Sequence, residues 1–127
     1  MLTVHIISKD DSTVVLPEGE MAYGACSELK DIISGHMGQG VTLSFNMEKV
    51  SFVDSAGVGF LVQMKNLTVK RNGTFEMRRL QKNVKLVIDR LTLNEFLNTS
   101  TDVISDYVHV MPARPLPRSY ACFTSGS

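Results

Sequence analysis

The stretch VSFVDSAGVG, residues 50–59, decides how the chain is interpreted, because an apolar strand passes here into a helix. A hydroxyl at the start of a helix lies beside backbone N–H groups that have no partner within the helix, and these groups can stabilise an added anion. Ser55 is therefore a candidate phosphate acceptor. Gly57 and Gly59 keep the first turn thin, so that another protein could bring its backbone or a nucleotide close to the Ser55 hydroxyl.

The neighbours of Ser55 indicate that a phosphate would act as a binding switch. A phosphate adds roughly −1.5 to −2 charges, here beside the Asp54 carboxylate and on a surface that we expect to expose Val58 and Val62. The alternative is that Asp54 or Ser55 caps the helix and has no further role, since both residue types do so routinely.

A third interpretation makes Ser55 the nucleophile of a hydrolase. The stretch lacks the G-x-S-x-G pattern in which such serines commonly occur. A hydrolase would also need a histidine base, and no spacing in the chain brings one to Ser55 among His5, His36 and His109. These observations disfavour the hydrolase.

Hydrophobic periodicity outward from this stretch predicts alternating strands and helices. Helices between strands imply right-handed crossovers, so the fold class is mixed α/β, with a partly parallel sheet and helices packed against it. The predicted order is a hairpin over 3–16, a helix over 21–34, a strand over 41–47, a helix over 55–71, a strand over 74–80, a helix over 83–97 and a strand over 107–111.

Length and composition restrict the classes of function. A chain of 127 residues is one domain, in which we expect residues 1–111 to fold and the proline-containing residues 112–127 to form a flexible tail. Thirteen basic and thirteen acidic residues give no net charge, which argues against nucleic-acid or membrane partners. Cys26 and Cys122 have neither disulfide-framework nor zinc-site spacing, so we expect a cytoplasmic protein without metal or cofactor.

The string DSAGVG, residues 54–59, follows an apolar strand, and a hairpin and an amphipathic helix precede it. In this the sequence resembles the STAS domain of bacterial anti-sigma factor antagonists. The resemblance extends over about residues 3–111 and includes the Asn72–Gly73 turn and the helix over 83–97. It implies a STAS-like α/β fold.

The resemblance also implies a site and its partners. Ser55 would be phosphorylated by a partner serine kinase with a histidine-kinase-like ATPase fold, and a PP2C-type phosphatase would remove the phosphate. Asp54 would be the flanking acid, and the rest of the partner-binding surface would comprise Ala56, Gly57, Val58, Gly59 and Val62.

The function implied is a non-enzymatic partner switch. The unphosphorylated protein, a monomer or weak dimer, would bind its kinase, which is also an anti-sigma factor, and phosphorylation would end that binding. The alternative is a STAS module that senses a ligand or serves as a scaffold in a larger complex, such as a stressosome-like or transporter-associated assembly.

Overall fold

The computed structural model describes residues 2–22, 26, 28–99 and the backbone of 120–125. In it, helices pack against a mixed parallel and antiparallel β-sheet. This confirms the predicted fold class. The strands are β1 (Leu2–Lys9), β2 (Ser12–Met21), β3 (Thr42–Asn46), β4 (Lys49–Val53), β5 (Thr74–Arg78) and β6 (Tyr120–Ser125). The helices are α1 (Leu29–Ser34), α2 (Ser55–Lys70), α3 (Lys82–Arg90) and α4 (Asn94–Leu97).

The centre of the sheet is β2, and the strand order is β5-β3-β2-β1-β6. β1 is antiparallel to both of its neighbours, whereas β3 and β4 both pair with β2 in parallel. β3 lies along Ser12–Val15, and β4 lies along Glu18–Met21, so the two strands follow each other on the same side of β2. This places the end of β4, and the residues that follow it, beside the end of β2.

The core lies between the sheet and the helices. Alternate residues of β1, namely Leu2, Val4 and Ile6, are fully buried, as the period of a strand requires. The Phe45 ring of β3 packs edge-on against Phe60 of α2, with 6.1 Å between the ring centroids, and also contacts Phe75 of β5. Contacts between these rings therefore tie α2 to the two parallel strands beneath it.

Side-chain amides bind the backbone of strands β4 and β5 and of Glu48, the residue before β4. Gln81 Nε2 donates to the Glu48 carbonyl oxygen at 2.9 Å, and Asn83 Nδ2 donates to the Ser51 carbonyl oxygen at 2.5 Å. On β5, Asn98 Nδ2 donates to the Phe75 carbonyl oxygen at 3.2 Å. These bonds satisfy carbonyl groups that would otherwise be open to pairing with another chain.

Two predicted helices have different bounds in the structure. Of the helix predicted over 21–34, the described residues contain Leu29–Ser34 as α1, while Met21 is instead the last residue of β2, where it pairs with Val53. At Met21, backbone pairing with β4 outweighs the helical spacing of the side chains. The helix predicted over 83–97 divides into α3 and α4, because the chain between them turns at Thr92 with a φ of 53°.

The strands also differ from the sequence expectation in two places. One strand was predicted between α1 and α2, and the structure has two, β3 and β4. Residues 120–125 of the predicted flexible tail form β6, antiparallel to β1. The strand predicted over 107–111 lies outside the described residues. The division of the chain at residue 111 stays a prediction.

A hydrogen-bond network joins α3 to α4. Lys85 Nζ donates to Asp89 Oδ1 at 2.6 Å and to Asn94 Oδ1 at 2.7 Å, and the Asn94 amide donates to the same Asp89 carboxylate. The bond from Lys85, followed by that from Asn94, holds the pKa of the Asp89 carboxyl below its ordinary value of 3.8. The ionised form of Asp89 therefore stabilises the folded state.

We predict that Asp89→Asn lowers the melting temperature at neutral pH and has less effect in acid. A lowered folded-state pKa gives a stabilisation that is complete above the unfolded value and is lost as the pH falls through the folded value. The difference in melting temperature between wild type and Asp89→Asn should therefore be constant from pH 7 to 5 and shrink below about pH 4. A difference that does not shrink in acid would contradict this role for the charge.

Candidate functional site at the start of helix α2

Asp54 is the N-cap residue of α2. Its backbone is extended, with φ −100° and ψ −175°, and its Oδ1 accepts a hydrogen bond from the Gly57 N–H at 2.8 Å. The Asp54 carbonyl oxygen accepts the first bond of the helix from the Val58 N–H at 2.9 Å. Asp54 therefore caps the helix, and Ser55 does not.

Ser55 is the first helical residue, and its side chain is exposed. Ala56 and Gly59 are exposed in the same two turns, and a Cβ placed on Gly59 would meet no atom within 4 Å. The Ser55 hydroxyl therefore lies on an open surface with small residues beside it. This agrees with the thin first turn expected from the sequence.

Gly57 lies on the buried side of the same turn. A Cβ at this position would be 2.0 Å from the Met21 carbonyl oxygen at the end of β2. The Asp54 N–H also donates to that oxygen, at 3.3 Å. The first turn of α2 thus rests directly on the backbone of β2, and only glycine permits the approach.

The expectation that Val58 is exposed was wrong. Val58 is 4% exposed and belongs to the core, because the turn that presents Ser55 outward directs Val58 inward against the sheet. Val62 is half-buried and packs against the same core. Among the predicted partner-binding residues, Gly57 and Val58 are therefore buried, whereas Ala56 and Gly59 are exposed.

Cys26 lies near the site but is buried, as the apolar helical stripe predicted. Burial, reinforced by the negative charge of Asp54, raises the pKa of the Cys26 thiol from 9.0 to about 11. The thiol stays protonated at neutral pH, so it is not activated as a nucleophile.

A histidine base for Ser55 is not supported by the position of His36. The His36 carbonyl oxygen accepts bonds from Ser8 and Thr13, near the start of β2, whereas Ser55 follows the strand that pairs with the end of β2. The two ends of β2 are on the order of 25 Å apart at the rise of a strand. Among the residues the structure describes, no group of three or more His, Cys, Asp or Glu side chains could hold a metal ion.

Sequence reasoning missed two parts of the site. The Met21 carbonyl oxygen was expected in a helix, and it is instead the group on which the first turn of α2 rests. Phe52, three residues before Ser55, is 46% exposed, a position that the sequence pattern did not predict. No local signal marks either feature, because both depend on pairing between β2 and β4.

Comparison with known proteins identifies the family of this chain. The family model described as the STAS domain matches residues 4–105, which is most of the chain. The chain belongs to the STAS domain family. The sequence had suggested this membership. Comparison with curated protein sequences gives no match.

Two solved structures have the same fold. An anti-sigma factor antagonist from Mycobacterium paratuberculosis is 17% identical, with a TM-score of 0.64, over 80% of this chain and 86% of that one. The anti-sigma factor antagonist SpoIIAA in its unphosphorylated form is 22% identical, with a TM-score of 0.60, over 78% of this chain and 89% of that one. In the described part of this STAS domain, no helix has the length and apolar character needed to cross a membrane.

The two glycines of the first turns give a matched test of this packing. Gly57→Ala should lower the free energy of unfolding by at least about 2 kcal/mol, because the new methyl group meets the backbone of β2. Gly59→Ala should raise it by about 0.5–1 kcal/mol, because alanine is favoured in an exposed helix and nothing obstructs it. Urea unfolding of both variants measures this, and equal effects would contradict the packing described.

The cap gives a second test. Asp54→Ala should lower the free energy of unfolding by about 1 kcal/mol, because the Gly57 N–H loses its acceptor, and Asp54→Asn should change it little. Thermal or urea unfolding at neutral pH distinguishes the two variants. If Asp54→Asn is as unstable as Asp54→Ala, the charge of Asp54 matters more than its hydrogen bond.

Proposed function

We propose that this STAS domain is a non-enzymatic partner switch of the anti-sigma factor antagonist kind, controlled by phosphorylation of Ser55. In the unphosphorylated state it binds a serine kinase that is also an anti-sigma factor, and phosphorylation ends the binding. The observation that carries the proposal is the exposed Ser55 hydroxyl at the first position of α2, on a turn that Asp54 and Gly57 hold in place.

The start of a helix favours a serine phosphate physically. Unpaired N–H groups and the positive end of the helix dipole stabilise an anion there, so the modified chain keeps its fold. Because Asp54 already provides the cap, phosphorylation does not need to build or break the helix. The change is then mainly one of surface charge.

That change in charge is the proposed switch. A phosphate adds roughly −1.5 to −2 charges, here beside the Asp54 carboxylate that caps the same turn. A partner surface that is complementary to the small, neutral residues Ser55, Ala56 and Gly59 would have to accommodate a charged phosphate on Ser55. The steric and electrostatic cost weakens the complex.

The buried residues of the predicted partner surface position its exposed residues and do not contact the partner themselves. Gly57 and Val58 hold the turn against the core, Asp54 caps it, and Val62 continues the outward side of α2 as a half-buried neighbour. Direct contact falls to Ser55, Ala56 and Gly59. The difference in burial thus separates residues that contact the partner from residues that support them, whereas the sequence suggested one continuous contact surface.

The partners follow from the same proposal. The kinase would have a histidine-kinase-like ATPase fold, and a PP2C-type phosphatase would restore Ser55. The need for ATP would place this bacterial switch in the cytoplasm, and the chain itself would use no cofactor. The likeness in fold to SpoIIAA, known in an unphosphorylated form, supports this class of function.

The proposal predicts one phosphate, on Ser55. Incubation with ATP and each purified serine kinase of the histidine-kinase-like ATPase fold from the source organism should add a single phosphate, which mass spectrometry maps to Ser55. Ser55→Ala should abolish the modification. Thr74→Ala is the matched control, because Thr74 is also an exposed hydroxyl residue but lies at the start of β5, away from the site.

Ser55→Glu tests the electrostatic part of the switch. Added negative charge at the start of α2 should weaken binding of the kinase in a titration, while Ser55→Ala retains binding. A phosphate mapped to another residue, or phosphorylation of Ser55→Ala to the same extent as wild type, would contradict the proposal.

A further inference from the structure

Strand β4 contains a bulge directly before the Ser55 turn. Gly19 and Glu20, which are adjacent on β2, pair with Val50 and Phe52 of β4, so Ser51 is an additional residue without a pairing partner on β2. In a regular strand the residues two apart share a face, and Phe52 would be buried with Val50. The additional residue reverses this order, and Val50 and Val53 are buried while Ser51 and Phe52 are exposed.

Specific contacts hold the bulge. The Ser51 hydroxyl donates to the Gly19 carbonyl oxygen at 3.3 Å, and the Asn83 amide of α3 donates to the Ser51 carbonyl oxygen. Gly19 has a φ of 120°, which residues with a side chain rarely adopt. Ser51 of β4, Asn83 of α3 and Gly19 of β2 thus stabilise the bulge together. Bulges often redirect a side chain beside a functional site.

The side chain that the bulge redirects is an aromatic ring. Phe52 is 46% exposed, and it is not among the partly buried hydrophobic residues that pack against the core. It precedes Ser55 by three residues at the same end of the sheet. Aromatic residues are enriched in protein–protein interfaces, where buried aromatic anchors fill pockets of the partner.

We infer that Phe52 is the aromatic anchor by which the kinase docks on this domain, with the ring entering an apolar pocket next to the site that receives Ser55. The inference rests on the proposed function and adds the docking contact to it. The charged residues around Phe52 indicate the charge that the kinase surface should have. Glu20, exposed, is in register with Phe52, and Asp54 follows two residues later, while Lys49, two residue pairs away, pairs with Glu18. The pocket of the kinase should therefore have a basic rim.

The test compares two exposed phenylalanines. Phe96 is 40% exposed on α4 and lies near Lys65, which is about 15 Å along α2 from Ser55 at the rise of a helix. With the kinase that phosphorylates wild-type Ser55, Phe52→Ala should raise the KM for the protein substrate about tenfold or more and leave kcat within about twofold. Phe96→Ala should match wild type, and Phe52→Tyr, which retains the ring, should restore most of the affinity.

Glu20→Lys tests the basic rim without altering the ring. It should raise KM severalfold at low salt and less at high salt, because exposed charges are screened. This variant lies on β2 and changes neither Ser51 nor Phe52, so it remains informative if Phe52→Ala proves unstable.

The outcomes separate the inference from the proposed function. If wild type is phosphorylated at Ser55 and the KM of Phe52→Ala is unchanged, or the loss is in kcat alone, the docking role of Phe52 is wrong and the switch stands. A wild-type chain that takes no phosphate at Ser55 contradicts the switch itself and the docking role with it.

Discussion

The close approach between the first turn of α2 and the end of β2 is the contact on which the site depends. The Met21 carbonyl oxygen lies where a Cβ of residue 57 would be, and it also accepts the Asp54 N–H. Strand β4 brings the chain to this point by pairing in parallel with the second half of β2, where Met21 pairs with Val53. A side chain at position 57 would lift the helix, and Val58 would leave the core with it.

This contact explains how a surface serine can have a fixed position. Asp54 caps α2, Gly57 seats it on the sheet, and Val58 anchors it in the core, so Ser55 is exposed on a turn that does not need to reorganise. A preorganised surface loses little conformational entropy on binding. A phosphate added there changes charge and shape at one point, which is what a switch between partners requires.

The parts of the fold and site that the sequence predicts are those with local causes. Helix α2 follows from the spacing of its apolar residues, a capping Asp54 and the Asn72–Gly73 turn, and Ser55 follows from its place after the cap. The extension of β2 to Met21, the break between β3 and β4 and the exposure of Phe52 were not predictable in this way. Each depends on which residues of β2 pair with which neighbours, and β2 lies far from its partners in the sequence.

The inward position of Val58 has the same origin. Helical periodicity identifies an apolar side of α2 but does not show where its edge meets the sheet, and the contact at Gly57 sets the rotation of the helix. Glycines 57 and 59 look equivalent in the sequence, yet one is required by packing and the other is open to solvent. Only the paired strands beneath the helix distinguish them.

The central claim is that a phosphate on Ser55 ends the binding of a kinase. The most direct measurement is calorimetric titration of that kinase with the unmodified protein and with protein phosphorylated only at Ser55. The account predicts that phosphorylation weakens the affinity at least about tenfold, which corresponds to 1.4 kcal/mol, while circular dichroism shows the fold unchanged. Equal affinities of the two forms would contradict it.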